Sequence, residues 1–207
     1  MLTIKVAGLV LAAGRGSRFA ASVGPTAPPS KMLAKWNGVA LVNHVVTAAR
    51  TAMLDPLLVV TGYAAREIEV EIGTQPVRFV HNADFESGLA SSLKAGLAAL
   101  PLDVDAVVIL LGDMPLVSAD VIAHLQASFA DHPHVSAIVP TDKGRRGNPV
   151  VLSKKMFSRL ADLEGDRGAA QILAVAGEDV LEIAIDDEAV SFDVDTVQAL
   201  RASGSDL

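Results

Sequence analysis

The stretch VAGLVLAAGRGSRF, Val6–Phe19, decides the fold class, because an apolar run breaks directly into a glycine-rich loop with two arginines. A continuous apolar run of this length is typical of a strand buried on both faces of a parallel sheet. Apolar runs and helical spacings alternate along the rest of the chain. Alternating strands and helices predict parallel pairing with right-handed crossovers, and therefore an α/β fold.

The same patterns place the individual elements. We predict strands at Ile4–Ala12, Leu57–Thr61, Val77–His81, Ala106–Leu111, Ser136–Pro140, Pro149–Leu152 and Val180–Ile185, and helices at Val39–Met53, Ala64–Ile72, Ser87–Leu100, Asp166–Ala176 and Thr196–Ala202. A further helix starts after the expected N-cap Ser118 and ends near Phe129. The proline-rich segment Ala20–Ser30 predicts a mobile loop.

Composition narrows the classes of protein. The 207 residues fit one domain, 1–207, with a full core. A net charge of −7 argues against a broad nucleic-acid-binding surface. The sequence has no cysteine, which excludes disulfides, cysteine-ligated metals and a thiol nucleophile and is compatible with a reducing cytoplasm. Because no stretch approaches the roughly 20 apolar residues of a membrane span, we expect a cytoplasmic protein without a membrane segment.

The glycines of the first loop do not match the common nucleotide-binding fingerprints. Gly14 and Gly16 fit the first two positions of a dinucleotide loop, but Phe19 stands at the third. No acidic residue precedes Asp55, so the ribose-binding carboxylate is missing as well. A Walker loop is also excluded, because no Gly-Lys-Ser/Thr follows.

The loop is instead rich in positive charge. Arg15 and Arg18 lie in it, and Lys31 and Lys35 follow soon after. Guanidinium groups bind phosphates in strong, geometrically specific pairs, so this pattern suits a triphosphate and a departing pyrophosphate. The alternative is an ordinary strand–helix turn whose arginines are solvated.

Asp113 stands at the carboxyl end of the predicted fourth strand, in VVILLGDMPLV. In doubly wound sheets the first and fourth strands are commonly neighbours, and ligands bind outside their carboxyl ends. A carboxylate beside a triphosphate needs a cation between them, and Mg²⁺ binds through carboxylates and phosphate oxygens. The alternative is a turn or cap residue, although Ser118 is the better cap.

A second source of carboxylates is SFDVDT, Ser191–Thr196. Asp193 and Asp195 alternate, so they point the same way if the segment is extended. One of them could share the metal with Asp113. Asp195 would equally suit the N-cap of the last helix, and both interpretations stay open.

Taken together, the motifs resemble those of a known family. LAAGRGSRF…SK followed by LLGDMPLV is similar to the nucleotidyltransferases of the GT-A-like α/β fold, and most similar to those that act on the molybdenum cofactor. NADFESGLASSLKAGL, TDKGRRGNPV, EGDRGA and DVDT resemble further family segments, and the resemblance covers nearly the whole chain. EGDRGA and the serine-rich helix point to the cytidylyltransferase branch. The fold implied is a three-layer α/β/α, Rossmann-like arrangement around a mostly parallel mixed sheet.

The resemblance also implies roles for individual residues. The base and ribose would contact Leu11, Ala12, Ala13 and Gly14, and the triphosphate would contact Arg15, Gly16, Arg18 and Lys31. The nucleoside would lie near Asn82, Ser91 and Ser92, and the acceptor near Asn148, Asp166 and Arg167. A Mg²⁺ ion, or Mn²⁺ as a substitute, would be bound by Asp113 and Asp195. The implied catalytic set is Arg15, Arg18, Lys31 and Asp113. Phosphoryl chemistry of this kind works by positioning and charge neutralisation.

The activity implied is transfer of a nucleoside monophosphate, most simply CMP from CTP, to a molybdopterin-type phosphate acceptor with release of pyrophosphate. Ala13 favours the cytidine branch, whereas Leu89 and Asn148 stand where that branch usually has Gln and His, so the base stays open. A guanylyltransferase, a sugar-phosphate nucleotidyltransferase and a non-catalytic nucleotide- or cofactor-binding module remain alternatives. A transient contact with a molybdoenzyme maturation factor would accompany the implied activity.

Overall fold

The computed structural model describes residues 4–25, 27–160, 173–174, 177, 179–196, 198 and 200. Its strands are β1 Val6–Leu11, β2 Lys35–Trp36, β3 Val39–Ala40, β4 Leu57–Thr61, β5 Arg78–His81, β6 Ala106–Leu111, β7 Ala137–Asp142, β8 Arg145–Arg146, β9 Val150–Ser153 and β10 Val180–Ala184. Its helices are α1 Ser17–Val23, α2 Leu41–Thr51, α3 Ala65–Ile72, α4 Leu89–Ala98, α5 Ala119–Asp131 and α6 Phe157–Leu160. The predicted helices Asp166–Ala176 and Thr196–Ala202 fall largely outside the described residues.

The main sheet is mixed and mostly parallel, as expected. Its strands follow the order β10-β7-β9-β6-β1-β4-β5, and β8 pairs with β7. β1 runs parallel to both β4 and β6, which confirms that the first and fourth predicted strands are neighbours. β9 runs antiparallel to both β6 and β7, so the alternation rule fails at this strand.

Helices cover both faces of this sheet and confirm the three-layer α/β/α fold. α2, α3 and α5 contribute buried residues to a core on one face, including Val46, Ile68 and Leu125. α4 and α6 contribute Leu93 and Leu160 to the core on the other face. Within the described part of the chain, none of the helices has the length and apolar content needed to cross a membrane.

A third, smaller apolar cluster joins α1 to the end of the described chain. Phe19, Trp36, Leu41 and Val194 are buried in it, and the rings of Trp36 and Phe192 meet edge to face with centroids 5.5 Å apart. The prediction of a loop over Ala20–Ser30 is therefore wrong for its first residues. Phe19 anchors α1 in this cluster, and the helix continues to Val23 before Gly24 ends it.

Most predicted boundaries are correct to within a few residues, and the strands Leu57–Thr61 and Ala106–Leu111 are correct as predicted. Ser118 caps α5 as expected, because its Oγ accepts a hydrogen bond from the Val121 N–H at 3.2 Å. The two-residue strands β2, β3 and β8 were not predicted, since so short a segment carries no periodicity.

Candidate functional site

The loops that follow β1 and β6 leave the sheet side by side. Leu11 and Leu111 are paired in register, and the Gly112 N–H donates to the Leu11 carbonyl at 3.0 Å. A Cβ on Gly112 would lie 2.9 Å from Met32 Sδ, so the β6 loop also packs closely against the segment that carries Lys31. The topology thus brings together the basic loop and Asp113, which are about a hundred residues apart in the sequence.

Gly16 makes room for Lys31. Its φ of +62° lies in the left-handed region, and a Cβ there would lie 2.7 Å from the Lys31 Cβ. Lys31 begins a short 3₁₀ turn, Lys31–Leu33, whose Ser30 cap accepts from the Met32 N–H at 3.3 Å. The Lys31 side chain is only 7% exposed, so its ammonium is held in the interior of the site.

The buried ammonium lies among carboxylates. Lys31 Nζ is 2.6 Å from Asp113 Oδ2 and 3.1 Å from Asp195 Oδ1. Arg18 Nη1 contacts the other oxygen, Asp195 Oδ2, at 2.6 Å. The Val194 N–H donates to the Asp113 carbonyl at 3.1 Å, which fixes the 193–195 segment against the end of β6. One ion cluster therefore contains Arg18, Lys31, Asp113 and Asp195.

The charges in this cluster influence one another. Burial alone would lower the pKa of Lys31, but the negative charges and hydrogen bonds of Asp113 and Asp195 outweigh it, and the pKa is raised. Burial would raise the pKa of Asp195, but Lys31 and Arg18 lower it overall. Asp193 is accessible, yet partial desolvation and the charges of Asp195 and Asp113 raise its pKa. Lys31 and Asp195 are thus a charged pair.

The carboxylates fit a divalent cation. One oxygen from each of Asp113, Asp193 and Asp195 lies within 4.8 Å of the others. Carboxylate oxygens are the donors that Mg²⁺ prefers, and it is commonly bound through one or two of them together with phosphate oxygens. The expected alternation of Asp193 and Asp195 thus brings both carboxylates beside Asp113.

A pocket of about 610 Å³ adjoins this cluster, between the β1 loop and the segment that follows β5. Of the residues singled out from the sequence, Leu11, Ala13, Gly14, Arg15, Gly16, Lys31, Ser92 and Asp113 line it. Ala12 is buried in the sheet core instead. Asn82 lies behind Ser92, and its Nδ2 donates to Ser91 Oγ at 2.8 Å and Ser92 Oγ at 3.1 Å. Asn82 therefore orients the start of α4 beside the pocket.

Arg15 is held across the mouth of the pocket. It forms an ion pair with Glu86, and its Cζ lies 5.5 Å from the Tyr63 ring centroid and 5.7 Å from that of Phe85. Both ring distances are in the range of cation–π contacts. Sequence reasoning missed Phe85 and Glu86 as lining residues, although both lie in the NADFESGLASS segment, a few residues after the end of β5.

Asn148 is not among the residues that line this pocket. Its N–H donates to the Val190 carbonyl at 2.8 Å, which ties it to the segment that leads to Asp193 and Asp195. Arg146 is in β8 and pairs with Glu182 at 2.7 Å. The other two residues expected to contact the acceptor, Asp166 and Arg167, lie outside the described residues.

A glycine-rich basic loop, an aspartate at the end of the neighbouring strand and a three-layer α/β/α fold define this chain as a nucleotidyltransferase. Residues 8–181 match the family model of the MobA-like NTP transferase domain. The chain belongs to that family, which confirms the resemblance drawn from its motifs.

Curated relatives differ in name and in coverage. Bifunctional protein GlmU of Francisella philomiragia is 35% identical over 146 residues, and the match covers 69% of this chain but only 30% of that protein. Nicotine blue oxidoreductase of Paenarthrobacter nicotinovorans is 30% identical over 200 residues and 94% of both chains. Molybdenum cofactor cytidylyltransferase of Escherichia coli K12 is 25% identical over 168 residues, 80% of this chain and 82% of that protein.

Solved structures share the fold over nearly the whole chain. Rv0371c of Mycobacterium tuberculosis has a TM-score of 0.81 and 28% identity, with 98% of each chain covered. Its complex with manganese has a TM-score of 0.79 and 26% identity, with 96% of this chain and 97% of that chain covered. A nucleotidyl transferase from Methanothermobacter has a TM-score of 0.76 and 25% identity, with 94% of each chain covered.

Proposed function

We propose that this protein transfers CMP from CTP to the phosphate of a molybdopterin-type acceptor. The observation that carries the proposal is the ion cluster of Arg18, Lys31, Asp113 and Asp195 beside a pocket of about 610 Å³. Such a pocket has the size of a small-molecule site. The cytidylyltransferase name of the Escherichia coli relative and the Ala13 of the first loop support CTP.

The reaction balances without a general base. An oxygen of the acceptor phosphate, already ionised, forms a bond to the α-phosphorus of the nucleotide. The bond between that phosphorus and the oxygen bridging to the β-phosphate breaks, and pyrophosphate leaves with the bonding electrons. The protein must therefore hold two anions together and stabilise the charge that grows on the leaving group.

Cationic side chains of this chain supply that stabilisation. Lys31, whose raised pKa keeps it protonated, presents a buried point charge. Arg18 is exposed beside it, and Arg15 crosses the pocket mouth, so both guanidinium groups can turn toward phosphate oxygens. The space proposed for the nucleoside is lined by Leu11, Ala13, Gly14 and Ser92, with Asn82 and Ser91 behind them.

Asp113 and Asp195 would hold the Mg²⁺ ion, with Asp193 beside them, and Mn²⁺ would substitute for it. When bound, the ion supplies positive charge to the phosphate oxygens. The manganese complex of Rv0371c supports a divalent cation in this fold. We propose that the acceptor binds to Asn148, Asp166 and Arg167. The absence of cysteine fits a cytoplasmic location. There, a transient contact with a molybdoenzyme maturation factor would deliver the product.

A second candidate is an oxidoreductase, which the full-length similarity to nicotine blue oxidoreductase favours. The first loop weighs against it. Phe19 replaces the third glycine of the dinucleotide fingerprint, and no acidic residue precedes Asp55. Binding of NADH and NADPH, tested beside CTP, separates the two candidates.

Thermal unfolding with single nucleotides tests the proposal first. We expect CTP with Mg²⁺ to raise the Tm by several degrees, since a ligand at about 100 times its Kd adds roughly 2.7 kcal/mol. A chain of this length gains roughly 2–4 °C per kcal/mol. The panel contains CTP, GTP, ATP, UTP, NADH and NADPH, each with and without Mg²⁺.

Each result of this panel has a distinct meaning. A Mg²⁺-dependent shift with CTP alone supports cytidylyl transfer, and pyrophosphate release with molybdopterin is then the direct assay. A shift with GTP, ATP or UTP instead contradicts the choice of base and points to the guanylyl or sugar-phosphate alternatives. If only NADH or NADPH shifts the Tm, the result contradicts nucleotidyl transfer and favours the second candidate. Binding of CTP without pyrophosphate release would indicate a non-catalytic module.

Glu86→Gln tests whether the ion pair at the pocket mouth competes with the nucleotide. We expect the KM for CTP to fall by up to about fivefold, because an exposed ion pair is worth at most about 1 kcal/mol and its loss frees Arg15 for phosphate. Steady-state kinetics of pyrophosphate release measure this. Glu71→Gln, which removes a partner of Lys35 away from the pocket, is the matched control and should leave KM unchanged. A higher KM in Glu86→Gln would mean that Glu86 orients Arg15 productively.

A further inference from the structure

Lys31 occupies the position between the two carboxylates proposed as metal ligands. Its Nζ contacts Asp113 Oδ2 at 2.6 Å and Asp195 Oδ1 at 3.1 Å, while Arg18 contacts Asp195 Oδ2 at 2.6 Å. Both oxygens of Asp195 and one oxygen of Asp113 are therefore already paired with cations of the protein itself.

We infer that Lys31 acts as an internal counter-cation that keeps a free divalent metal off Asp113 and Asp195 until a nucleotide arrives. The inference rests on the proposed function, because the phosphates of the nucleotide are what would draw Lys31 away from the carboxylates. It deepens that function by giving an order of binding: the metal enters with the nucleotide rather than before it.

Charge is the first argument. The cluster contains three carboxylates, those of Asp113, Asp193 and Asp195, and two cations, Lys31 and Arg18. Its net negative charge is therefore small. A divalent ion is attracted only weakly by such a cluster. Because Lys31 is buried, its repulsion of an incoming cation is screened less by water than that of a surface lysine.

Geometry is the second argument. The oxygens that a metal would need lie within 4.8 Å of one another, and the ammonium contacts two of the three carboxylates. The metal and the ammonium therefore compete for the same two carboxylates, those of Asp113 and Asp195. Gly16 lies against the Lys31 Cβ and Ser30 caps the turn, so the start of this side chain is fixed while its ammonium end can still change partners.

The nucleotide resolves the competition. Its phosphate oxygens offer Lys31 and Arg18 stronger, charge-assisted partners. Once these cations have moved to the phosphates, the oxygens of Asp113 and Asp195 are free for the metal. Nucleotide and metal then favour each other's binding, and by linkage the coupling is reciprocal.

The test is the affinity of the full chain for Mn²⁺ without any nucleotide, measured by electron paramagnetic resonance of the free ion. We expect Lys31→Met to bind Mn²⁺ about tenfold more tightly than the wild type, within the 5–150-fold range of typical site-to-site couplings. Arg18→Met should change the affinity in the same direction by a smaller factor, and its exposed position makes it a safe second variant if Lys31→Met does not fold. Lys35→Met, a neighbouring lysine paired with Glu71, is the matched control and should bind Mn²⁺ like the wild type.

Adding Asp113→Asn to Lys31→Met shows where the ion binds. Loss of the tighter Mn²⁺ binding in the double variant supports the inference. Equal or weaker Mn²⁺ binding in both Lys31→Met and Arg18→Met overturns it, as does tighter binding that Asp113→Asn does not affect.

The nucleotide panel on the wild type keeps this inference separate from the proposed function. If CTP and Mg²⁺ stabilise the wild type but Lys31→Met and Arg18→Met do not tighten Mn²⁺ binding, the counter-cation role alone is wrong. If the variants tighten Mn²⁺ binding but no nucleotide stabilises the wild type, Lys31 still excludes the metal, while the proposed transferase activity and the order of binding fail.

Discussion

Asp113→Asn is expected to lower kcat for pyrophosphate release by at least about a hundredfold, the scale on which loss of one preorganised electrostatic group acts. Asparagine keeps the shape of the side chain but removes the charge that faces the Lys31 ammonium and two further carboxylates. The site would then lose a proposed metal ligand, and the Lys31 ammonium would lose its closer ion-pair partner. Both changes weaken the stabilisation of charge on the leaving pyrophosphate.

The control for this prediction is Asp120→Asn. Asp120 is an exposed aspartate in the first turn of α5, the helix that follows Asp113 in the chain. Its loss should leave kcat within about twofold of the wild-type value. The Tm of Asp113→Asn without ligand should fall, because the buried Lys31 ammonium loses its closer ion-pair partner, and its shift with CTP should lose the dependence on Mg²⁺. A near-normal kcat in Asp113→Asn would remove Asp113 from the mechanism.

Elements with strong local signals were predicted from the sequence. The strand Leu57–Thr61 is apolar up to its last residue and Ala106–Leu111 is apolar throughout, which is the pattern typical of a strand buried on both faces. The pairing of β1 with β6 followed from the usual strand order of doubly wound sheets. Because that pairing places two loops at one edge, the proximity of the basic loop and Asp113 was predictable as well.

The direction of a strand and the long-range partners of a side chain were not predictable from such local patterns. β9 is a short apolar run, and nothing in four such residues says that it runs antiparallel between β6 and β7. α1 precedes a proline-rich segment, which gave no sign of a helix. Its Phe19 packs against Trp36 and Val194, which are distant in the sequence. Similarly, Glu86 is an exposed charge, and only the fold shows that it lies opposite Arg15.

The position of the 193–195 segment also depends on a long-range contact. Alternation predicted that Asp193 and Asp195 share one side, but it could not say what they face. The Val194 N–H bonded to the Asp113 carbonyl determines that, together with the burial of Val194 in the third apolar cluster. Upstream of this segment, the Val190 carbonyl accepts from the Asn148 N–H, and the neighbouring Gly147 N–H donates to the Pro140 carbonyl of β7. These two bonds connect the segment to the sheet.

Gly147→Ala tests that connection and is expected to disturb both stability and activity. A Cβ on Gly147 would lie 2.1 Å from the Val190 carbonyl oxygen, far inside any tolerated contact. That oxygen cannot simply move, because it accepts the Asn148 N–H at 2.8 Å, while the Gly147 N–H donates to the Pro140 carbonyl at 2.8 Å. Overpacking of this kind costs about 1–3 kcal/mol, so the Tm should fall by roughly 2–12 °C.

The displacement should also reach the site, because the Val190 segment leads within a few residues to Asp193 and Asp195. We expect kcat of Gly147→Ala to fall by more than its stability loss explains, measured well below its Tm. Leu125→Ala, in the α5 core away from the site, is the control: it should lose about 2–5 kcal/mol but keep its kcat while folded. Gly14→Ala, whose new methyl would meet nothing within 4 Å, should keep the wild-type Tm. If Gly147→Ala instead lost stability alone and turned over like the wild type, the position of Asp195 would not depend on this contact, and the cluster would have to be held by Val194 and Asp113 without support from the β8–β9 connection.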